Sequence, residues 1–298
     1  MHGSSYILSV LLLASTGAML GATTNLAKIA GDMGLAPLAF LAWSITGAAL
    51  VLCVIGAVRG RLPAINRRTI EYFVVAAFVT VAGSNLIFFS AVPHVGASFV
   101  ALSIAFPPLL TYLGALALEI ERFAGVRAAG VAFALMGAAL LAAFQLVLPD
   151  ANPFWLLLTL LGPVLLAIGN LYRTLRWPPG ESPEALAPGM LLAAAAMLMA
   201  MGALPGFELG LPSGGIVYAL TLLQAGLFAG QFLLLFALQK HGGPVLLSLL
   251  GSVAAIFAVP VAIFLLNEAP PEGLGYAAPL IALGVALVTW GGARKETS

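Results

Sequence analysis

Two amides of the same chemistry sit deep in apolar runs half the chain apart, Asn85 and Gln231. A carboxamide both donates and accepts hydrogen bonds, so it can hold a polar ligand but supplies neither a nucleophile nor a base. Gln224, Phe228 and Gln231 fall at i, i+4 and i+7, on one face of a helix, and Phe78, Ala82 and Asn85 repeat that spacing. Phe88 and Phe89 follow Asn85 within about a turn. Amides beside aromatic surface would suit a zwitterion carrying an apolar side chain. The competing use of such amides is bonding between packed helices, worth about 1 kcal/mol. Ser252 and Tyr112 are further candidate ligand contacts, although small hydroxyl residues also serve close helix packing.

A second polar pattern is written twice. Asn25-Leu26-Ala27-Lys28 and Asn170-Leu171-Tyr172-Arg173 lie 145 residues apart, each near the end of an apolar run. These four polar residues, Asn25, Lys28, Asn170 and Arg173, are candidates for the two mouths of a pathway. Snorkelling of the charges and helix–helix bonding by the asparagines are the alternative readings. Pro107-Pro108 removes two backbone donors inside another run, a candidate hinge.

Other chemistry is missing. No Asp or Glu lies well inside an apolar run: Glu119 and Glu121 fall at the end of one, Glu268 and Glu272 at the end of another. His94 and His241 are expected in short turns, and Cys53 is alone. There is no nucleophile paired with a base, no opposed carboxylates, no cofactor-cradling motif and no metal-ligand set, so an enzyme is not expected. A net charge of +1 without a basic block argues against nucleic acid. The lack of a basic cluster at mid-depth argues against phosphate or sugar-nucleotide ligands.

The elements that must carry these residues follow from composition. Of 298 residues, 62% are hydrophobic and only 8% charged, against about 25% charged in a soluble domain. Most of the outer surface must therefore face lipid. Ten runs reach roughly the 20 residues a spanning helix needs: 6–27, 34–58, 69–92, 96–118, 126–147, 153–175, 185–204, 214–239, 243–267 and 273–292. The first has no basic leader and is too long for a signal peptide, so it is expected to stay as a span. Placing the N-terminus inside puts Arg59, Arg61, Arg67, Arg68, Arg122, Arg127, Arg173, Arg176, Lys240, Arg294 and Lys295 on the cytoplasmic side, against Lys28 alone outside. That bias orients both termini to the cytoplasm of a cell (inner) membrane protein.

An offset of about 146 lays the first five runs over the last five. Asn85 then meets Gln231, Ala91 meets Ala237 and Gly96 meets Gly242, while Glu121 meets Glu268 and Gly137 meets Gly284 one residue later. The expectation is an all-α integral membrane protein of two five-helix repeats, 1–150 and 151–298, forming one membrane domain. Five is odd, so the second unit would run inverted, the construction of transporters that bind between their repeats.

The stretch F-F-S-A-V-P-H-V-G-A-S-F-V-A-L-S-I-A-F-P-P-L-L-T-Y-L-G-A-L-A-L-E-I-E-R at 88–122 resembles the span-3/span-4 signature of the ten-helix EamA-type drug/metabolite transporter superfamily. T-T-N-L-A-K at 23–28 is similar to that family's first-span pattern. F-A-L-Q-K-H-G-G-P-V-L-L-S-L-L-G-S at 236–252, with Leu266-Asn267-Glu268, repeats the signature. Two positions depart from it: Trp43-Ser44 stands where an Arg is common, and no Pro lies near Val253-Ala254, although Pro260 follows. The resemblance implies a carrier exporting small metabolites, commonly amino acids, and is nearest the aromatic amino acid exporters of the YddG type. Without an intramembrane carboxylate, facilitated transport is expected rather than proton antiport. The expected partners are a small-molecule substrate and membrane lipid, with no cofactor. A monomer is compatible with all of this.

Overall fold

A computed structural model describes residues 2–119, 123–146, 152–248 and 250–293. The expected Glu121, Arg122, Arg294 and Lys295 positions lie outside the described residues. Every regular element among the described residues is helical. The first five expected spans become α1 (His2–Asp32), α2 (Pro37–Val58), α3 (Arg67–Ala77) continuing through a π-helical stretch Phe78–Ala82 into α4 (Gly83–Val95), then α5 (Ala97–Ser103) with α6 (Pro107–Ala117), and α7 (Gly125–Leu146). The rest become α8 (Pro153–Leu175), α9 (Pro183–Met201), α10 (Gly215–Ser248), α11 (Leu250–Pro260) with a second π-helical stretch Val261–Leu265, and α12 (Leu274–Ala293). Five described helical runs are long and apolar enough to cross a membrane: Pro37–Val58, Arg67–Val95, Ala97–Ala117, Pro153–Arg173 and Gly215–Leu238.

Helix starts are set by side chains. Asn66 Oδ1 accepts from the Arg68 and Thr69 N–H groups while Thr69 Oγ1 accepts from Asn66 N–H, a reciprocal cap. Asn152 and Ser182 cap α8 and α9, each followed by proline at the first helical position.

Two expectations about turns change. His94 lies in the last turn of α4, and the chain reverses only at Gly96, whose φ of 82° a side chain would strain. Residue 241 lies within α10, because Gly242 and Gly243 permit a turn without requiring one.

Helices pair across the two halves. α1 packs on α10 and α11, and α8 packs on α4 and α6; α2 meets α10, and α3 meets α9. α2 pairs with α9, and α7 with α12. The α7–α12 contact is reciprocal: a Cβ at Gly137 would lie 2.9 Å from the Ala277 carbonyl oxygen, and one at Gly284 would lie 2.5 Å from that of Gly130. On the other flank, Gly21 admits the Ala258 backbone, and Asn25 Nδ2 donates to Ala258 O at 3.1 Å.

The break between α4 and α5 is closed by a residue from the far half. Glu268 accepts from Ala97 N–H through Oε2 and from Ser98 N–H through Oε1, both at 2.8 Å. At the opposite end of the bundle, Ala64 N–H donates to Glu181 Oε1 at 3.1 Å, joining the loops at 59–66 and 176–182.

Two outcomes are expected. In a Cys53→Ala background, single cysteines at Ile65 and Pro179 label from the same membrane face with an impermeant thiol reagent; labelling from opposite faces refutes the shared end. Glu268→Gln keeps the shape but removes the charge that strengthens two hydrogen bonds, costing about 1–2 kcal/mol. It should read as a lower melting temperature in detergent, and an unchanged one excludes the clamp.

Candidate functional site

Between the halves lies a cavity that is partly open to its surroundings. α1, the α3–α4 span, α5, α6, α8, α10 and α11 all contribute to its wall. Along α8 it runs from Leu166 to Arg173 near the helix end, and along α4 and α5 it reaches Val92 and Val100, close to the Glu268 clamp.

Asn85 and Gln231 line this one cavity, as do Phe88, Phe89, Asn170, Arg173, Pro107 and Pro108. Asn85 follows the π-helical stretch, and its Nδ2 donates to Val81 O at 2.8 Å. Gln231 Oε1 is buried without a partner among the described residues. Phe89 stacks between Phe40 and Phe228, with centroids at 6.0 and 6.2 Å.

The remaining candidates sit elsewhere. Gln224 is fully buried and its Nε2 donates to Thr23 O at 3.3 Å, a bond between α10 and α1. Phe228 lies behind Phe89 rather than on the wall. Tyr112 faces a separate core: its hydroxyl accepts from Ala124 N–H at 3.0 Å, and Arg127 lies 5.1 Å from its ring. Ser252 is next to the wall residue Gly251, with its Oγ buried and unpartnered. Asn25 is held by Gly21 O and Ala258 O, off the cavity. Lys28 pairs with Asp32 at 3.3 Å near the end of α1.

The two prolines begin α6 after a break at residues 104–106, so the span is bent there. Gly251 sits against the Ile104 carbonyl at that break and leaves no room for a Cβ. Sequence reasoning missed Gly251, together with Thr23, Thr24, Thr80 and Ser84 on the wall. Three of the threonine hydroxyls bond their own helix, Thr23 and Thr24 to Leu20 O and Thr80 to Ala76 O, which hides them as binding groups in a sequence.

Polar groups on the wall are amide, hydroxyl and one guanidinium beside aromatic and aliphatic surface, with no carboxylate among the described residues. Such a wall can hold a polar ligand with an apolar part. No group of three or more metal-ligating side chains occurs among the described residues.

A protein of known crystal structure is similar over 99% of both chains, at 20% identity and a TM-score of 0.65; at that identity the likeness concerns the fold alone. No curated protein matches the chain. Residues 7–143 match the EamA-like transporter family, within the drug/metabolite transporter superfamily. The chain thus carries a region similar to the EamA-like transporter family over residues 7–143, together with five described helical runs long and apolar enough to cross a membrane, which fits a multi-pass membrane protein.

Proposed function

We propose that this chain exports amino acids, aromatic or otherwise apolar, by alternating access of the cavity between its halves, without proton coupling. The observation that carries this reading is the meeting of Asn85 and Gln231 on one wall with Phe88 and Phe89. The amides can hold the polar groups of an amino acid, and the rings offer apolar surface for its side chain. Residues 1–150 and 151–298 are read as inverted repeats. The helix pairings support this, since exchanging first-half and second-half partners maps α1 against α10 and α11 onto α8 against α4 and α6. The arginine-rich end is then cytoplasmic, as are both termini, in the cell inner membrane. A monomer contains the whole pathway.

Uncoupled transport rests on the wall having no carboxylate among the described residues, the group expected to carry protons in an intramembrane site. Proteoliposomes loaded with phenylalanine should therefore release it down its gradient at the same rate with or without ΔpH. Accumulation driven by ΔpH alone would establish coupling instead.

The amides make a separable prediction. Asn85→Ala and Gln231→Ala should weaken counterflow of the transported amino acid by about tenfold or more, since each loses a bond to a charged ligand group. Melting temperatures should stay near wild type. Gln224→Ala should do the reverse, lowering stability by about 1 kcal/mol through the lost α1–α10 bond. Wild-type transport by both cavity variants would remove them from the site.

A further inference from the structure

Arg173 is the one wall residue with a permanent charge among the described residues, and no carboxylate among them pairs with it. It is 5% exposed and lines the cavity. One terminal nitrogen donates to Asn170 Oδ1 at 2.9 Å, while Nε is buried without a partner among the described residues. Asn170 Nδ2 in turn lies 3.5 Å from Thr111 Oγ1 on α6, at the far limit for a hydrogen bond. At the other copy of the Asn-Leu-x-Lys/Arg pattern, Lys28 is paired with Asp32. Shifting Asp32 by the same 145 residues reaches Trp177. One copy thus carries its counter-ion four residues on, and the other has an indole there.

Burying an unpaired guanidinium is costly, and a buried charge is ordinarily found paired. A planar guanidinium matches a carboxylate through two parallel hydrogen bonds. We infer that Arg173, held by Asn170, is the carboxylate-binding residue of the cavity, and that the substrates are apolar monocarboxylates whose own charge completes this site. The inference rests on the cavity being the substrate site, as proposed above, and narrows what it takes. The carboxylate docks at Arg173, and the apolar part extends toward Phe88, with Asn85 and Gln231 left for other polar groups. Amino acids meet this requirement, and so do acids without an amine; cationic amines do not.

The test compares acids with their carboxamides, which keep size and shape but lose the charge. Purified full-length protein in proteoliposomes is given phenylalanine, phenylalaninamide, 3-phenylpropionate and 3-phenylpropionamide as competitors in counterflow, and the same four are compared by thermal shift in detergent. Each acid should act at about tenfold lower concentration than its amide, the effect of one charge-assisted contact. Arg173→Gln should bring each pair to within about twofold, and Arg173→Lys should restore part of the difference. Equal potency of acids and amides on the wild-type protein overturns the inference, as does stronger action by the amides or no effect of any acid. Those wild-type comparisons decide the matter even where Arg173→Gln does not fold. Loss of the cavity reading shows differently, as wild-type transport by Asn85→Ala and Gln231→Ala.

Discussion

In hydrocarbon a backbone N–H or C=O has no water to turn to, so each departure from a continuous helix has to be satisfied inside the protein. The span at 97–117 departs twice. At its start, Gly96 takes a left-handed φ and the freed N–H groups of Ala97 and Ser98 go to the Glu268 carboxylate. In its middle the chain tightens: Ala105 and Phe106 N–H bond to Leu102 O and Ser103 O, at 3.1 Å each, before α6 begins. Pro107 and Pro108 stand where a new helix would have orphan donors, and they bring none. The bend thus keeps the Ala105 and Phe106 N–H groups paired, and Glu268 makes one half's helix start depend on the other half.

The bend also makes the cavity. A straight helix from 97 to 117 would present one stripe to its neighbours, whereas the offset between α5 and α6 leaves space that Gly251 approaches from α11 without filling. Across the cavity, the π-helical turn at 78–82 rotates α4 relative to α3. Asn85 lies just beyond that turn and donates through Nδ2 to Val81 O, leaving the amide oxygen and second N–H for other partners. Two irregular backbone segments thus shape the same wall.

Composition and apolar length were enough to place nearly all the helices, because lipid imposes a length that a sequence displays directly. The helix starts at Asn66-x-x-Thr69 and Asn152-Pro153 carry capping chemistry that sequence reasoning did not single out. The division between binding and packing amides was not legible. Gln224 and Gln231 share a helix face but lie about 10 Å apart along the axis, so one meets α1 and the other reaches the cavity. Depth separated them, and periodicity reports only direction. Asn25 was hidden for a related reason. Gly17 and Gly21, four residues apart, admit α11 so closely that the next position on that face, Asn25, meets a backbone carbonyl rather than open space.

A repeated pattern in a sequence suggests shared duty, yet the two copies here have parted in chemistry. Lys28 is balanced by Asp32, which is 66% exposed, so that end of α1 carries a solvated pair with little net field. Arg173 is buried and keeps its charge without a carboxylate partner among the described residues. If exchange of pseudo-equivalent packing moves the cavity from one side to the other, symmetric contacts such as Gly137 on α12 and Gly284 on α7 keep the two arrangements close in energy. A charge present in only one copy has the opposite effect, because it makes the cavity's two ends electrostatically unlike. The substrate's own charge would then weigh on which arrangement the loaded cavity favours, while net flux through an uncoupled carrier would still follow the substrate gradient.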